Sequence, residues 1–164
     1  MAPFVLSNCN MKRSDDTIYV TYIAAPPQKV WDALTSPELT RKYFFGRRVE
    51  SDWKVGSPFK LLMEDGSIDS HGKVLESDPP RRLSVTWHVE WLEEYRKLPE
   101  SIVTFQIESL GDVTRLTMIE SHPTPIEEKY LEGGRQGWPA VLSGLKSLLE
   151  TGRPLPKFEF DIAA

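Results

Sequence analysis

The sequence predicts an α+β fold in which a long C-terminal helix lies over one face of a curved antiparallel sheet. Three observations carry this. Residues 124–152 place Tyr130, Leu131, Gly134, Trp138, Val141, Leu142, Leu145, Leu148 and Leu149 at spacings of three and four, which is one apolar helix face. Residues 48–122 read as alternating strands joined by short turns, which implies an antiparallel meander. A single sheet with one apolar face needs a cover, and this helix is the only element long enough to supply it.

Taken in order, residues 1–16 form a mixed polar leader. Residues 17–24 are β-branched and aromatic and read as the first strand, stopped by Pro26 and Pro27. Pro27 opens a short helix with Val30, Trp31 and Leu34 on one face. Ser36, Pro37 and Glu38 supply a cap, a proline and an acid for a second short helix, with Leu39 and Tyr43 facing inward. Strands then follow at 48–53, 58–64, 68–77, 81–90, 102–109 and 113–122. Asp65-Gly66 marks a hairpin, Gly72 a bulge, and Asp78-Pro79-Pro80 a break. Leu83, Val85, Trp87 and Val89 share one strand face, as do Val103, Phe105 and Ile107, and Leu116 with Met118. Residues 91–100 form a charged loop carrying Trp91, Leu92, Tyr95 and Leu98.

For the long helix, Thr124 reads as the cap, Pro125 as the first helical residue and Glu127 as the third member of a capping box. Gly152 ends it, with Pro154 beyond. Gly133, Gly134, Gly137 and Pro139 weaken its middle, so a kink or break is expected between Arg135 and Pro139. Residues 17–152 form one domain, and 153–164 a tail.

The 164 residues are 40% hydrophobic and 27% charged, as in soluble globular chains. A net charge of -4 does not suggest a general nucleic-acid binder. No apolar run approaches the roughly 20 residues needed to span a bilayer, and no signal-peptide pattern is present, so a cytoplasmic location is the default. Cys9, the single cysteine, excludes an internal disulfide and a cysteine-pair metal site. No serine-hydrolase elbow, phosphate loop or dinucleotide fingerprint appears.

The stretch Ile23-Ala24-Ala25-Pro26-Pro27-Gln28-Lys29-Val30-Trp31-Asp32-Ala33-Leu34-Thr35 resembles the opening of the START-like, or SRPBCC, superfamily. Gly72-Lys73-Val74-Leu75-Glu76, then Pro79-Pro80-Arg81-Arg82-Leu83 and Trp87, resemble its central strands. Thr114-Arg115-Leu116-Thr117 and Gly137-Trp138-Pro139 with Leu145 resemble its last strand and helix. The branch resembled is that of bacterial homologues of the activator of the heat-shock-90 ATPase. The resemblance implies a helix-grip fold, a seven-stranded antiparallel sheet around the long helix with an internal cavity. It also implies small apolar or amphipathic ligands. Members include lipid carriers, polyketide cyclases and aromatases, plant stress and hormone binders, and chaperone activators. Fold does not choose among them.

Within that fold, Phe44, Phe59, Trp87, Trp91, Tyr95, Phe105, Met118, Glu120, Gly134 and Trp138 are the candidate ligand-binding residues. Trp87 and Phe105 are the better lining candidates, while Trp31 and Trp138 read as packing. Glu120 continues the Leu116 and Met118 face. Either it is a buried polar anchor or base, or, as favoured, it sits at the rim, solvated or paired with Arg135. His71, His88 and His122 lie on different strands with no metal-ligand spacing, each satisfied or solvated. Arg41, Lys42, Arg47 and Arg48 read as solvated surface near the mouth. Loop 90–100 reads as a lid or interface patch. The second half of the long helix should anchor the fold while Tyr130 to Trp138 shapes or gates the cavity.

The function expected is stress-related binding of a small hydrophobic molecule. A cyclase- or aromatase-type enzyme, with Glu120 and a tyrosine as acid and base, is one alternative. A chaperone-ATPase regulator with a chaperone or regulatory protein partner is the other. No catalytic residue, metal or cofactor is assigned, and no nucleic acid or membrane span. The expected state is monomer or homodimer.

Overall fold

The computed structural model describes residues 16–159. The expected polar leader, with Cys9 in it, lies outside them except for Asp16. In chain order the elements are β1 (Thr17–Ile23), α1 (Pro27–Thr35), α2 (Pro37–Tyr43), β2 (Arg48–Glu50), β3 (Pro58–Leu62), β4 (Ile68–Asp78), β5 (Arg82–Val89), β6 (Ser101–Ser109), β7 (Thr114–Ser121) and α3 (Glu128–Thr151). The strands form one seven-stranded sheet in the order β1-β7-β6-β5-β4-β3-β2. Every pair is antiparallel. This is the helix-grip arrangement expected. No helix among the described residues is long and apolar enough to cross a membrane.

Alternation along the strands builds the core. Val103, Leu116 and Met118 are fully buried beneath α3, with Leu83, Val85 and Ile107 beside them. Val30 and Ala33 of α1 close one end, and the Tyr43 hydroxyl of α2 donates to the Ala33 carbonyl at 2.7 Å. α2 crosses α3 at Gly144, where an added Cβ would lie 3.1 Å from the Tyr43 carbonyl. Gly144 is therefore a point of close helix–helix packing.

Four local expectations are corrected. The strand expected at 48–53 ends at Glu50. Trp53 adopts φ 59, which turns its indole to donate to the Thr35 carbonyl at 3.1 Å and to stack on Phe59 at 6.5 Å. Tertiary contacts of one indole outweigh strand propensity there.

Gly72 is not a bulge. It pairs with Phe59 in register, and a Cβ on it would lie 1.9 Å from the Thr86 carbonyl. It is a point where two backbones approach too closely for any side chain. The register shifts fall elsewhere, between Leu61 and Leu62 and between Val74 and Glu76.

The capping box at Thr124 does not form. α3 begins at Glu128, with Glu127 at the cap position and no side-chain cap bond, and Ser36 likewise makes none for α2. The chain is non-helical through 124–127 and lays Ile126 against a cavity, so tertiary contact outweighs capping. Finally, α3 is not broken at Pro139. Arg135 and Pro139 are both exposed, where water can serve the carbonyl the proline leaves without a donor. Gly152 caps the end at φ 75, its N–H donating to the Leu148 carbonyl at 2.9 Å.

Leu145 is 0% exposed. Leu145→Ala should therefore cost about 2–5 kcal/mol of unfolding free energy, read from urea denaturation at unchanged slope. A loss below about 1 kcal/mol would show that the second half of α3 is not the anchor.

Candidate ligand-binding site

Where the sheet and the first half of α3 diverge, a cavity of about 650 Å³ opens to solvent. The meander carries Trp87 of β5, Ser101 of β6 and Glu120 of β7 to its inner wall. Phe44 and Phe45, which follow α2, close one side. Loop 90–100 contributes Trp91, Leu92, Tyr95, Leu98 and Pro99, and α3 with its approach contributes Ile126, Tyr130, Leu131, Gly133, Gly134, Gly137, Trp138 and Val141. Phe158 and Glu159 of the tail reach the same space.

An aromatic cluster forms the wall. Phe44 stacks on Trp87 at 6.3 Å, and Trp138 meets Trp87 edge-on at 5.2 Å and Phe44 at 5.8 Å. Phe59 lies beneath Trp87 at 5.3 Å. Across the opening, Tyr95 meets Tyr130 edge-to-face at 5.4 Å, joining the loop to α3. Such pairs add about 0.5–1.5 kcal/mol each beyond area burial.

One polar group is set into this wall. Glu120 accepts from the Trp138 indole N–H at 3.0 Å and from the Ser101 hydroxyl at 3.2 Å. Gly134 leaves room for it, since a Cβ there would lie 2.9 Å from Oε2. Nearby, the Tyr19 hydroxyl donates to the Gly134 carbonyl at 3.3 Å. The favoured reading of Glu120 as a rim residue is corrected: its side chain is 14% exposed, and Arg135 pairs instead with Glu128. Burial raises the Glu120 pKa from its ordinary 4.5; His122, Ser101 and Trp138 oppose the rise. Burial, reinforced by Glu120, pushes Tyr19 up to about 12. Burial also raises Tyr95, so both tyrosines remain phenols at neutral pH.

His122 is the residue sequence reasoning undervalued. It follows Glu120 by two, immediately past the end of β7, and both side chains line the cavity. Its Nε2 lies 4.0 Å from Glu120 Oε1, its side chain is 10% exposed, and its Nδ1 is buried without a hydrogen-bond partner. The i, i+2 spacing was the available signal.

Of the other candidates, Phe44, Trp87, Trp91, Tyr95, Gly134 and Trp138 line the cavity. Trp138 is thus both packing and wall. Phe59, Phe105 and Met118 lie in the core behind it, which corrects the expectation for Phe105: it pairs with Met118 and is covered by Trp138 at 6.5 Å. Arg47 lines the mouth but is not a free cation. It pairs with Asp69 at 2.9 Å, donates to the Phe45 carbonyl and lies 5.8 Å over Trp91. Arg41 pairs with Glu38. His71 and His88, expected to be separately satisfied, face each other across β4 and β5 with Glu90 between them.

A raised acid pKa means that the folded state binds more protons than the unfolded chain between pH 4.5 and the raised value. Stability falls as pH rises through that window and recovers below it. Glu120→Gln, which mimics the protonated acid, should therefore melt above the wild type at neutral pH, and the gap should close as pH drops below the ordinary value. A gap independent of pH, measured by thermal unfolding across buffers, would contradict the burial argument.

The sequence profile described as activator of Hsp90 ATPase homolog 1-like protein matches residues 24–150. No curated protein matches the chain in sequence. Among solved structures, protein MLL2253 from Mesorhizobium loti is 27% identical over 82% of this chain and 96% of its own, with a TM-score of 0.69. CalU16 from Micromonospora echinospora is 26% identical over 84% of this chain and 77% of its own, with a TM-score of 0.67. The Aha1 dimer from Colwellia psychrerythraea, 21% identical over 84% and 97% of the two chains with a TM-score of 0.67, shares the fold. The profile spans most of the chain, the sheet and helix follow the same plan, and the protein therefore belongs to the activator of Hsp90 ATPase homolog 1-like family, within the START-like superfamily.

Proposed function

We propose that the chain binds a small, largely apolar molecule beneath the first half of α3, with Glu120 and His122 holding one polar group of it. The observation that carries this is a largely buried polar pair beside an aromatic wall, with His122 Nδ1 left unpartnered. A volume of about 650 Å³ lies in the range of small-molecule sites. Apolar contact supplies the affinity, about 25 cal/mol per Å² buried. With the imidazole proton on Nε2, toward Glu120, Nδ1 is an acceptor, and a hydroxyl or amide N–H of the ligand would donate to it. A fused or extended ring system carrying such a group fits this wall.

A second reading has one observation in its favour. A carboxyl with a raised pKa beside a histidine, facing a cavity, can move a proton, as a cyclase- or aromatase-type reaction requires. Both Glu120 oxygens already accept from protein donors, which supports anchoring over catalysis. A protein-binding reading, in line with the family's description, draws on Ile18, Val20 and Tyr22, which stand exposed along the edge strand β1.

Native mass spectrometry of freshly purified protein, followed by thermal-shift screening of ring compounds with and without a hydroxyl, tests the binding reading. The expected result is a bound small molecule or a raised melting temperature, lost in Trp87→Ala and reduced in His122→Ala. If no compound raises the melting temperature and neither variant changes any binding, the reading fails. Ligand turnover abolished by Glu120→Gln at unchanged affinity would favour the enzyme.

Gly134→Leu places a side chain where the Glu120 carboxylate sits. It should abolish the ligand-induced melting shift yet lower the free protein's stability less than Leu145→Ala does. Equal stability losses would mean that the first half of α3 is ordinary core.

A further inference from the structure

We propose that His71, His88 and Glu90 form a three-ligand site for a divalent transition-metal cation of the zinc type at the rim of the cavity. The β4–β5 register sets His71 directly opposite His88. Their rings lie 5.2 Å apart. Glu90 follows His88 by two residues, so alternation turns it to the same face. Its backbone N–H donates to the Asp69 carbonyl at 2.8 Å, which holds the strand end in place.

One carboxylate oxygen faces both imidazoles. Glu90 Oε1 is 3.0 Å from His71 Nε2 and 3.4 Å from His88 Nε2. The three donor atoms all lie within 4.8 Å of one another. In a tetrahedral site with bonds of about 2.0–2.1 Å, donor atoms are separated by roughly 3.3–3.4 Å. Two of the three edges are thus close to that length already, and the third closes with small side-chain movements.

The surroundings suit such an ion. Arg96 lies 3.8 Å from the other oxygen, Oε2, and its Nε donates to the Glu90 carbonyl at 2.6 Å. This orients the carboxylate with Oε1 toward the histidines, the part an outer-shell group plays at a metal. The guanidinium also disfavours calcium and magnesium, which depend on several anionic oxygens, whereas imidazole donors suit zinc, nickel and copper. A hollow lined by Met63, Ser67 and Ile68 lies over His71 and Glu90, leaving a fourth position open. Trp91 borders both this hollow and the cavity, and His88 borders the cavity. The site stands independently of what the cavity binds.

Calorimetric titration of the metal-free full chain with zinc chloride, and separately nickel chloride, tests the inference. One equivalent should bind, with affinity lowered about tenfold or more in each of His71→Ala, His88→Ala and Glu90→Gln. Imidazole NMR signals of the unmodified protein provide a second measurement that does not depend on any variant folding. Saturating zinc should shift His71 and His88 and leave His122 in place. No binding, binding unchanged in the variants, or unmoved His71 and His88 signals would overturn the site.

Discussion

The hydrogen bond from the Trp138 indole to Glu120 ties the covering helix to the sheet at the place where the two diverge. A carboxyl taken out of water is costly unless donors meet it. Ser101 supplies the second donor, and Gly134 supplies the space. The indole so held is the ring against which Phe44, Trp87 and Phe105 pack. One buried acid therefore bears on both the shape of the aromatic wall and the polar pair it forms with His122.

The same bond divides α3 in two. Beyond Trp138, Val141, Leu142, Leu145 and Leu148 are buried and close the core. Before it, Gly133, Gly134 and Gly137 border the cavity. Each glycine costs about 0.8–1.0 kcal/mol of helix propensity relative to alanine, a concession offset by tertiary burial in the second half. Small residues keep the helix continuous over open space, and continuity is what brings Tyr130 to Tyr95 across the opening. The helix is strong where it must anchor and thin where it must leave room.

Strand pairing decides the polar chemistry on either side of Trp91. Towards the helix it presents Glu120 and His122 in an apolar wall; at the rim it brings His71, His88 and Glu90 together. Membership of a family named for an activator of the Hsp90 ATPase does not by itself assign either feature, because function resides in sites and not in folds. The aromatic wall and the histidine cluster are this chain's own residues, and they carry the proposals made for it.

Much of the fold was legible because it rests on periodicity. Alternation placed Val103, Phe105, Leu116 and Met118 inward, and the three-and-four spacing of residues 130–149 placed the covering helix, including the division between its halves. Gly152 ended that helix for a local reason, its left-handed backbone. The local signals that misled, the capping box at Thr124, the bulge at Gly72 and the break at Pro139, were each overridden from outside the segment. The contact of Ile126 with the cavity, the approach of the Thr86 carbonyl, and the exposure of Pro139 between the buried Trp138 and Val141 decided those positions. The site was legible only in part. Alternation pointed Glu120 inward, but the depth of the strand end, and hence whether the acid met Arg135 or Trp138, depended on where α3 lay. His71 and His88 are far enough apart in sequence to share no spacing, and only strand register made them neighbours. Periodicity along the chain determines which face a residue occupies; what it meets there is decided by pairing and packing between distant segments, which no local pattern encodes.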